Sequence, residues 1–138
     1  MLESSMVSAC YTYIQSNWNP RQVVCEVPFL SRCIDMVMVT SENETITIEF
    51  KIKNWRQAIE QAKNHKLGAD RAYICLPSRN PSEALVQALE EEELGLFMYV
   101  PNNPDIITTY LEAPKNECKI GAFASLLNEK VGYISNLL

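Results

Sequence analysis

Glycine is scarce in this chain, with four residues in 138. No glycine-rich loop is available to cradle a phosphate, which argues against dinucleotide and Walker-type nucleotide binding. There is one histidine, His65. A histidine-based triad or a zinc site built on several histidines therefore cannot be assembled. The five cysteines (Cys10, Cys25, Cys33, Cys75 and Cys118) are odd in number and scattered, without a C-x-x-C pair. They read as reduced thiols of a cytoplasmic protein, not as zinc ligands or a disulfide framework. No apolar run approaches the roughly 18 residues a membrane span needs. The N-terminus also lacks a basic region followed by a continuous apolar stretch, so no signal peptide is expected.

What is present fits one soluble α/β domain over 1–138, with 47% hydrophobic and 21% charged residues. The net charge of −5 argues against general nucleic-acid binding. Its distribution is uneven: half of the twelve basic residues fall between Lys51 and Arg71, against only Glu60 and Asp70. Such a local patch attracts phosphate even on an acidic protein, although lysines on a surface helix also serve solubility alone.

The most informative stretch is 45–53, Thr-Ile-Thr-Ile-Glu-Phe-Lys-Ile-Lys. Ile46, Ile48, Phe50 and Ile52 alternate with Thr45, Thr47, Glu49, Lys51 and Lys53, as expected for a half-buried strand. Upstream, 32–39 reads as a second strand with one acidic residue, Asp35, and 41–44 supplies turn-forming polar residues. In a hairpin whose turn has an odd number of residues, Asp35 lies directly opposite Glu49, with Cβ atoms about 4.5–5.5 Å apart. Two carboxylates that close need a proton or a cation between them, and a hard divalent ion answers that need. Lys51 then adds a positive group at the rim. The alternative is an ordinary solvated sheet face, which alternating Thr, Glu and Lys also describes.

Around these strands, 2–16 reads as an amphipathic helix with Leu2, Met6, Val7, Cys10 and Ile14 on one stripe and Glu3 turned toward it. The stretch 22–30 reads as a strand with Val23, Cys25, Val27 and Phe29 on one face, placed at a sheet edge by Pro28. Asn54 is expected to cap a helix over 55–66, with Trp55, Ala58, Ile59 and Ala62 buried. Gln57, Gln61 and His65 follow its flank, His65 as a boundary residue. A buried strand is expected at 71–76, a loop at 77–80, and a helix capped by Asn80 with Pro81 in its first turn. Strands at 96–100 and 106–111 and a helix at 121–138, with Phe123, Leu126, Leu127, Val131 and Ile134 on one side, complete the chain.

This order, together with Asp35 and then Glu49-x-Lys51 on the next strand, resembles the PD-(D/E)xK nuclease superfamily. The fold implied is α/β: a central mixed β-sheet, an antiparallel three-strand meander plus parallel strands, flanked by helices, with the restriction-endonuclease-like αβββαβ core. The resemblance covers roughly 2–100, and Ile34 stands where the motif's proline would be. It implies a nuclease that hydrolyses phosphodiester bonds in DNA with Mg²⁺, for which Mn²⁺ may substitute. Asp35 and Glu49 would be metal ligands and Lys51 would assist the attacking water or steady phosphate charge. Gln61 matches a glutamine some subfamilies place near the site, and Glu3 an acidic residue some carry on the first helix. A catalytically silent DNA-binding or protein-interaction module is the alternative. A homodimer is expected, because the chain offers little surface to grip a duplex and the last helix has apolar residues to spare.

Overall fold

The structure, a computed structural model, describes residues 1–77 and 80–137. Its elements are α1 (Glu3–Asn17), β1 (Gln22–Phe29), β2 (Arg32–Val39), β3 (Thr45–Phe50), α2 (Trp55–Lys66), β4 (Arg71–Pro77), α3 (Glu83–Glu91), β5 (Gly95–Tyr99), β6 (Ile107–Leu111) and α4 (Gly121–Leu137). The strands form one six-stranded sheet in sequence order, β1-β2-β3-β4-β5-β6. β1, β2 and β3 pair as an antiparallel meander, β3-β4 and β4-β5 are parallel, and β6 returns antiparallel. The αβββαβ core expected from the sequence is present. β1 is an edge strand, as Pro28 requires.

The sheet is covered on both faces. Met6, Cys10 and Ile14 of α1 pack on one face against Met36, Ile46, Ile48, Phe50 and Tyr73. On the other face, Ala58, Ile59 and Ala62 of α2 and Leu85 and Leu89 of α3 pack on Ile74, Leu76 and Leu96. Leu127 and Val131 of α4 pack on Val24, Val27, Ile34 and Val37. This double cover corrects the expectation of a half-buried β3. Thr45, Thr47 and Glu49 are as buried as Ile46, Ile48 and Phe50, because α2 and α4 close over the polar side of the strand. A solvated strand face is therefore ruled out. The apolar stripe of α4 is used inside the chain, which removes the spare surface on which a homodimer was expected. Ile120 and Tyr133 remain exposed.

Helix starts follow their caps. Asn54 Oδ1 accepts the Gln57 N–H at 3.2 Å, as expected. α3 begins at Glu83, after the expected Asn80 cap, because Ser82 Oγ accepts the Leu85 N–H at 3.1 Å. The loop expected over 77–80 falls largely on Ser78 and Arg79, outside the described residues. Leu2 is exposed and not part of the α1 stripe. At Gly95, a Cβ would clash with the edge of the Tyr73 ring and stand 2.7 Å from the Ala113 nitrogen, so the start of β5 requires glycine. No helix among the described residues is long and apolar enough to cross a membrane.

Asp70, in the turn before β4, ties three segments together. Its Oδ2 accepts the Thr45 N–H at 2.8 Å, its Oδ1 accepts from Lys119 Nζ at 2.7 Å, and its carbonyl accepts the Asn116 N–H at 2.6 Å. Burial pushes this carboxyl up, but the Lys119 and Thr45 donors and the charges of Lys119 and Lys115 outweigh it and hold it below its usual range. Asp70→Ala should therefore cost about 1–3 kcal/mol in urea unfolding at pH 7. The sign of its pH dependence follows from the depressed folded value: the stabilisation is present above pH ~4 and is lost as pH falls further. Unfolding midpoints of parent and Asp70→Ala should therefore converge in acid.

Candidate active site

Asp35 and Glu49 meet where the β2–β3 ladder ends. The turn between these strands, 40–44, has an odd number of residues, and pairing runs from Val39↔Thr45 to Met36↔Ile48. One step further, Asp35 stands opposite Glu49. There the side chains take over from the ladder: Glu49 Oε1 accepts the Asp35 N–H at 3.2 Å, and Asp35 Oδ2 accepts the Phe50 N–H at 2.8 Å. Each carboxylate thus satisfies an amide beside the other residue, which anchors both groups without a salt bridge.

β1 contributes a change of direction at the same level. Glu26 has φ 53°, a left-handed conformation uncommon outside glycine. Across it the alternation of β1 and β2 reverses. Cys25 and Met36 lie on the α1 side of the sheet, whereas Val27 and Ile34 lie on the α4 side. The expected single face of Val23, Cys25, Val27 and Phe29 is therefore split, with Val24 joining Val27 and Phe29. The reversal leaves Asp35 half-buried and open to the α1 side.

The other expected site residues fall at different distances from this pair. Glu3, in the first turn of α1, accepts the Ile52 N–H on Oε2 at 3.3 Å, and its charge is felt at Asp35. β3 ends at Phe50, so Lys51 and Lys53 lie beyond the strand and not on its face. Lys51 is held by its N–H to the Cys75 carbonyl at 3.1 Å, and its ammonium favours the ionised forms of both Asp35 and Glu49. Gln61, on α2, has a buried Oε1 that makes no hydrogen bond among the described residues.

His65 is the residue the sequence reading underrated. It is buried, not a boundary residue, and its Nδ1 lies 3.3 Å from Glu49 Oε1. Its position continues the buried stripe of Ala58, Ile59 and Ala62 by one helical step, and that spacing was the available signal. Burial, then the Arg32 charge, lowers its pKa to about 4, so it is neutral at neutral pH.

Burial also dominates the carboxyl pair. It raises Glu49, and the adjacent Asp35 charge raises it further, to about 8. Asp35 is also raised by burial, against which the Phe50 N–H and a hydrogen bond to Glu49 act. A proton shared by the pair, carried on Glu49, is the physical consequence at neutral pH. Among the described residues, no three His, Cys, Asp or Glu side chains converge as metal ligands. The donor set is two carboxylates, each with an oxygen not used by a backbone N–H. That set fits Mg²⁺, which binds through one or two carboxylates plus waters and substrate phosphates.

By sequence, the chain matches no protein-family model and no curated protein. In structure it is similar to SPO1766, a protein of unknown function from Silicibacter pomeroyi, with a TM-score of 0.61 at 18% identity, covering 88% of this chain and 84% of that one. It is similar to EndoMS in a complex with double-stranded DNA, with a TM-score of 0.53 at 14% identity over 75% of this chain and 47% of that one. A repair endonuclease from Pyrococcus abyssi gives a TM-score of 0.51 at 19% identity, covering 83% of this chain and 49% of that one. The chain thus spans about half the length of these two nucleases. Its six-stranded mixed sheet with flanking helices is the restriction-endonuclease-like fold.

Proposed function

We propose that this protein is a metal-dependent nuclease hydrolysing phosphodiester bonds in DNA. The observation that carries this reading is the pairing of half-buried Asp35 with buried Glu49 at the end of the β2–β3 ladder, with the Lys51 charge acting on both. Each carboxylate spends one oxygen on a backbone N–H and keeps the other for a ligand, and two acidic groups this close favour a cation between them. A divalent ion held by Asp35 and Glu49, Mg²⁺ or Mn²⁺, would supply polarisation of a phosphoryl oxygen and of the attacking water. The Phe50 N–H holds Asp35 in place and the Asp35 N–H holds Glu49, so neither carboxylate has to reorganise far to bind. Lys51 brings its ammonium to the phosphate, where negative charge grows during attack. Lys53 and Arg56 are exposed just beyond it and suit neighbouring phosphates, which carry no sequence information.

The double-stranded DNA in the EndoMS complex supports DNA as the substrate class. A second reading, a silent DNA-binding or interaction module, is favoured by the net charge of −5 and by the chain's spanning only about half of the two nucleases. The two readings separate in a cleavage assay on plasmid, linear duplex and single-stranded DNA with Mg²⁺ or Mn²⁺. Lys51→Ala and Glu49→Ala should each lower the rate about 10²–10⁴-fold. A Lys51→Ala protein that cuts as fast as the parent removes Lys51 from the mechanism, and a parent that binds DNA without cutting it favours the module.

The carboxyl pair also sets the stability of the metal-free protein. Glu49 is raised in the folded state, so its contribution is full below pH ~4.5 and is lost as pH rises toward about 8. Glu49→Gln keeps an acceptor for the Asp35 N–H and removes the titration. It should stabilise the metal-free fold at pH 8 by roughly 1–3 kcal/mol, with a smaller gain at pH 5. Thermal unfolding of both proteins in chelator across this range is the check, and an equal difference at both pH values would contradict it.

A further inference from the structure

A pocket of about 140 Å³ lies where the tip of the β1–β2 hairpin meets the last turns of α2. Phe29, Leu30, Ser31 and Arg32 of the tip line it, together with Asn64 and His65 of α2. Only Leu30 and Ser31 join the paired Phe29 and Arg32, and so short a loop fixes where the Arg32 side chain starts. The charge of the pocket has one sign: Arg32 is cationic, and no carboxylate is among the lining residues. Burial and then the Arg32 charge lower the His65 pKa, which places the guanidinium within electrostatic reach of the ring.

His65 supplies an independent sign of a ligand. Both of its ring nitrogens are buried and make no hydrogen bond among the described residues. A buried polar group left in that state costs about 1–3 kcal/mol, so a partner for it is favoured. Nδ1 lies 3.3 Å from Glu49 Oε1, which leaves Nε2, across the ring, for the pocket. Ser31, Arg32 and Asn64 are exposed around it and carry hydroxyl, guanidinium and amide donors. None of these three side chains is spent on another hydrogen bond among the described residues. The Asn64 and His65 carbonyls are engaged at the helix end by the N–H groups of Leu67 and Gly68, both at 3.3 Å.

One guanidinium among neutral hydrogen-bonding groups is a receptor for an anion, and its planar fork suits phosphoryl oxygens. The volume is well under the roughly 300 Å³ at which sites begin to enclose a drug-sized molecule, which limits the ligand to a small group. We propose that this pocket binds one phosphoryl group, held by Arg32 with Ser31, Asn64 and His65 Nε2 as its hydrogen-bonding partners. The site is distinct from the Asp35–Glu49 pair and stands whether or not the protein is a nuclease. A phosphate of a DNA strand and free inorganic phosphate present the same oxygens, and the test separates them.

His65 is the only histidine in the chain, so its ring is an unambiguous NMR reporter of the pocket. Inorganic phosphate is titrated into the protein in chelator at neutral pH, with sodium chloride at matched ionic strength as the control. The parent is compared with Arg32→Ala and with Ser31→Glu, which sets a carboxylate at the pocket, and thermal unfolding shows that each variant is folded. The parental ring signals should shift saturably with phosphate and not with chloride. Arg32→Ala should weaken phosphate binding about 10- to 150-fold, the range for a hydrogen bond to a charged group, and Ser31→Glu should abolish it. Ring signals that stay still, follow chloride equally, or respond in folded Arg32→Ala as in the parent would overturn the proposal. Anisotropy of a fluorescein-labelled single strand of DNA, again in chelator, then identifies the source. A loss of similar size in Arg32→Ala, with inorganic phosphate competing, assigns the pocket to a strand phosphate. Parental DNA affinity in Arg32→Ala, or no DNA binding by either protein, assigns it to free phosphate.

Discussion

Everything at the candidate site depends on how one β-ladder stops. Beyond Met36 and Ile48, two strands that could have gone on pairing give up their backbone bonds, and the freed amides of Asp35 and Phe50 are taken by carboxylates. A buried N–H needs a partner, and a carboxylate is a strong one. The exchange fixes two acidic side chains at a sheet end with no lysine or arginine in direct contact among the described residues. The same exchange explains why burial governs both groups: the backbone holds Glu49 buried and Asp35 half-buried at the sheet end, and burial raises both carboxyls.

The surrounding elements follow from that need. α2 brings His65 against Glu49, and α1 brings Glu3 to the amide of Ile52, so each flanking helix contributes a polar group to one side of the pair. His65 is neutral and suits a position where another full charge would add to the desolvation cost. The cationic groups sit just outside, on Lys51 and the segment after it. The acidic interior and basic rim of this end of the sheet explain how a chain of net charge −5 still presents a positive region.

Much of this was legible in the sequence, for identifiable reasons. Strict alternation located β3, and the odd turn made the opposition of Asp35 and Glu49 a matter of counting. Asn54 announced α2, and Pro28 announced an edge. Three things were not legible. The burial of Thr45, Thr47 and Glu49 depends on helices distant in sequence closing over them, and alternation looks the same on a covered face as on a wet one. The face reversal at Glu26 depends on one left-handed residue that is not glycine, a conformation no composition rule flags. His65 was placed on the rim because a histidine at a helix edge is normally solvated, and only the packing of α2 on β3 turned it inward.

β3 is fastened at both ends by acidic side chains from its neighbours. Asp70 takes the amide of Thr45, and Asp35 takes the amide of Phe50. The strand between these two fastenings acts as a ruler of fixed length. Residues added to or removed from the 40–44 turn in pairs lie outside it and keep Glu49 opposite Asp35. A single residue inserted between Thr45 and Glu49 would instead turn the glutamate to the α1 side and an isoleucine toward His65. Length variation among chains built on this plan should therefore collect in the hairpin turn and spare the six residues of the strand.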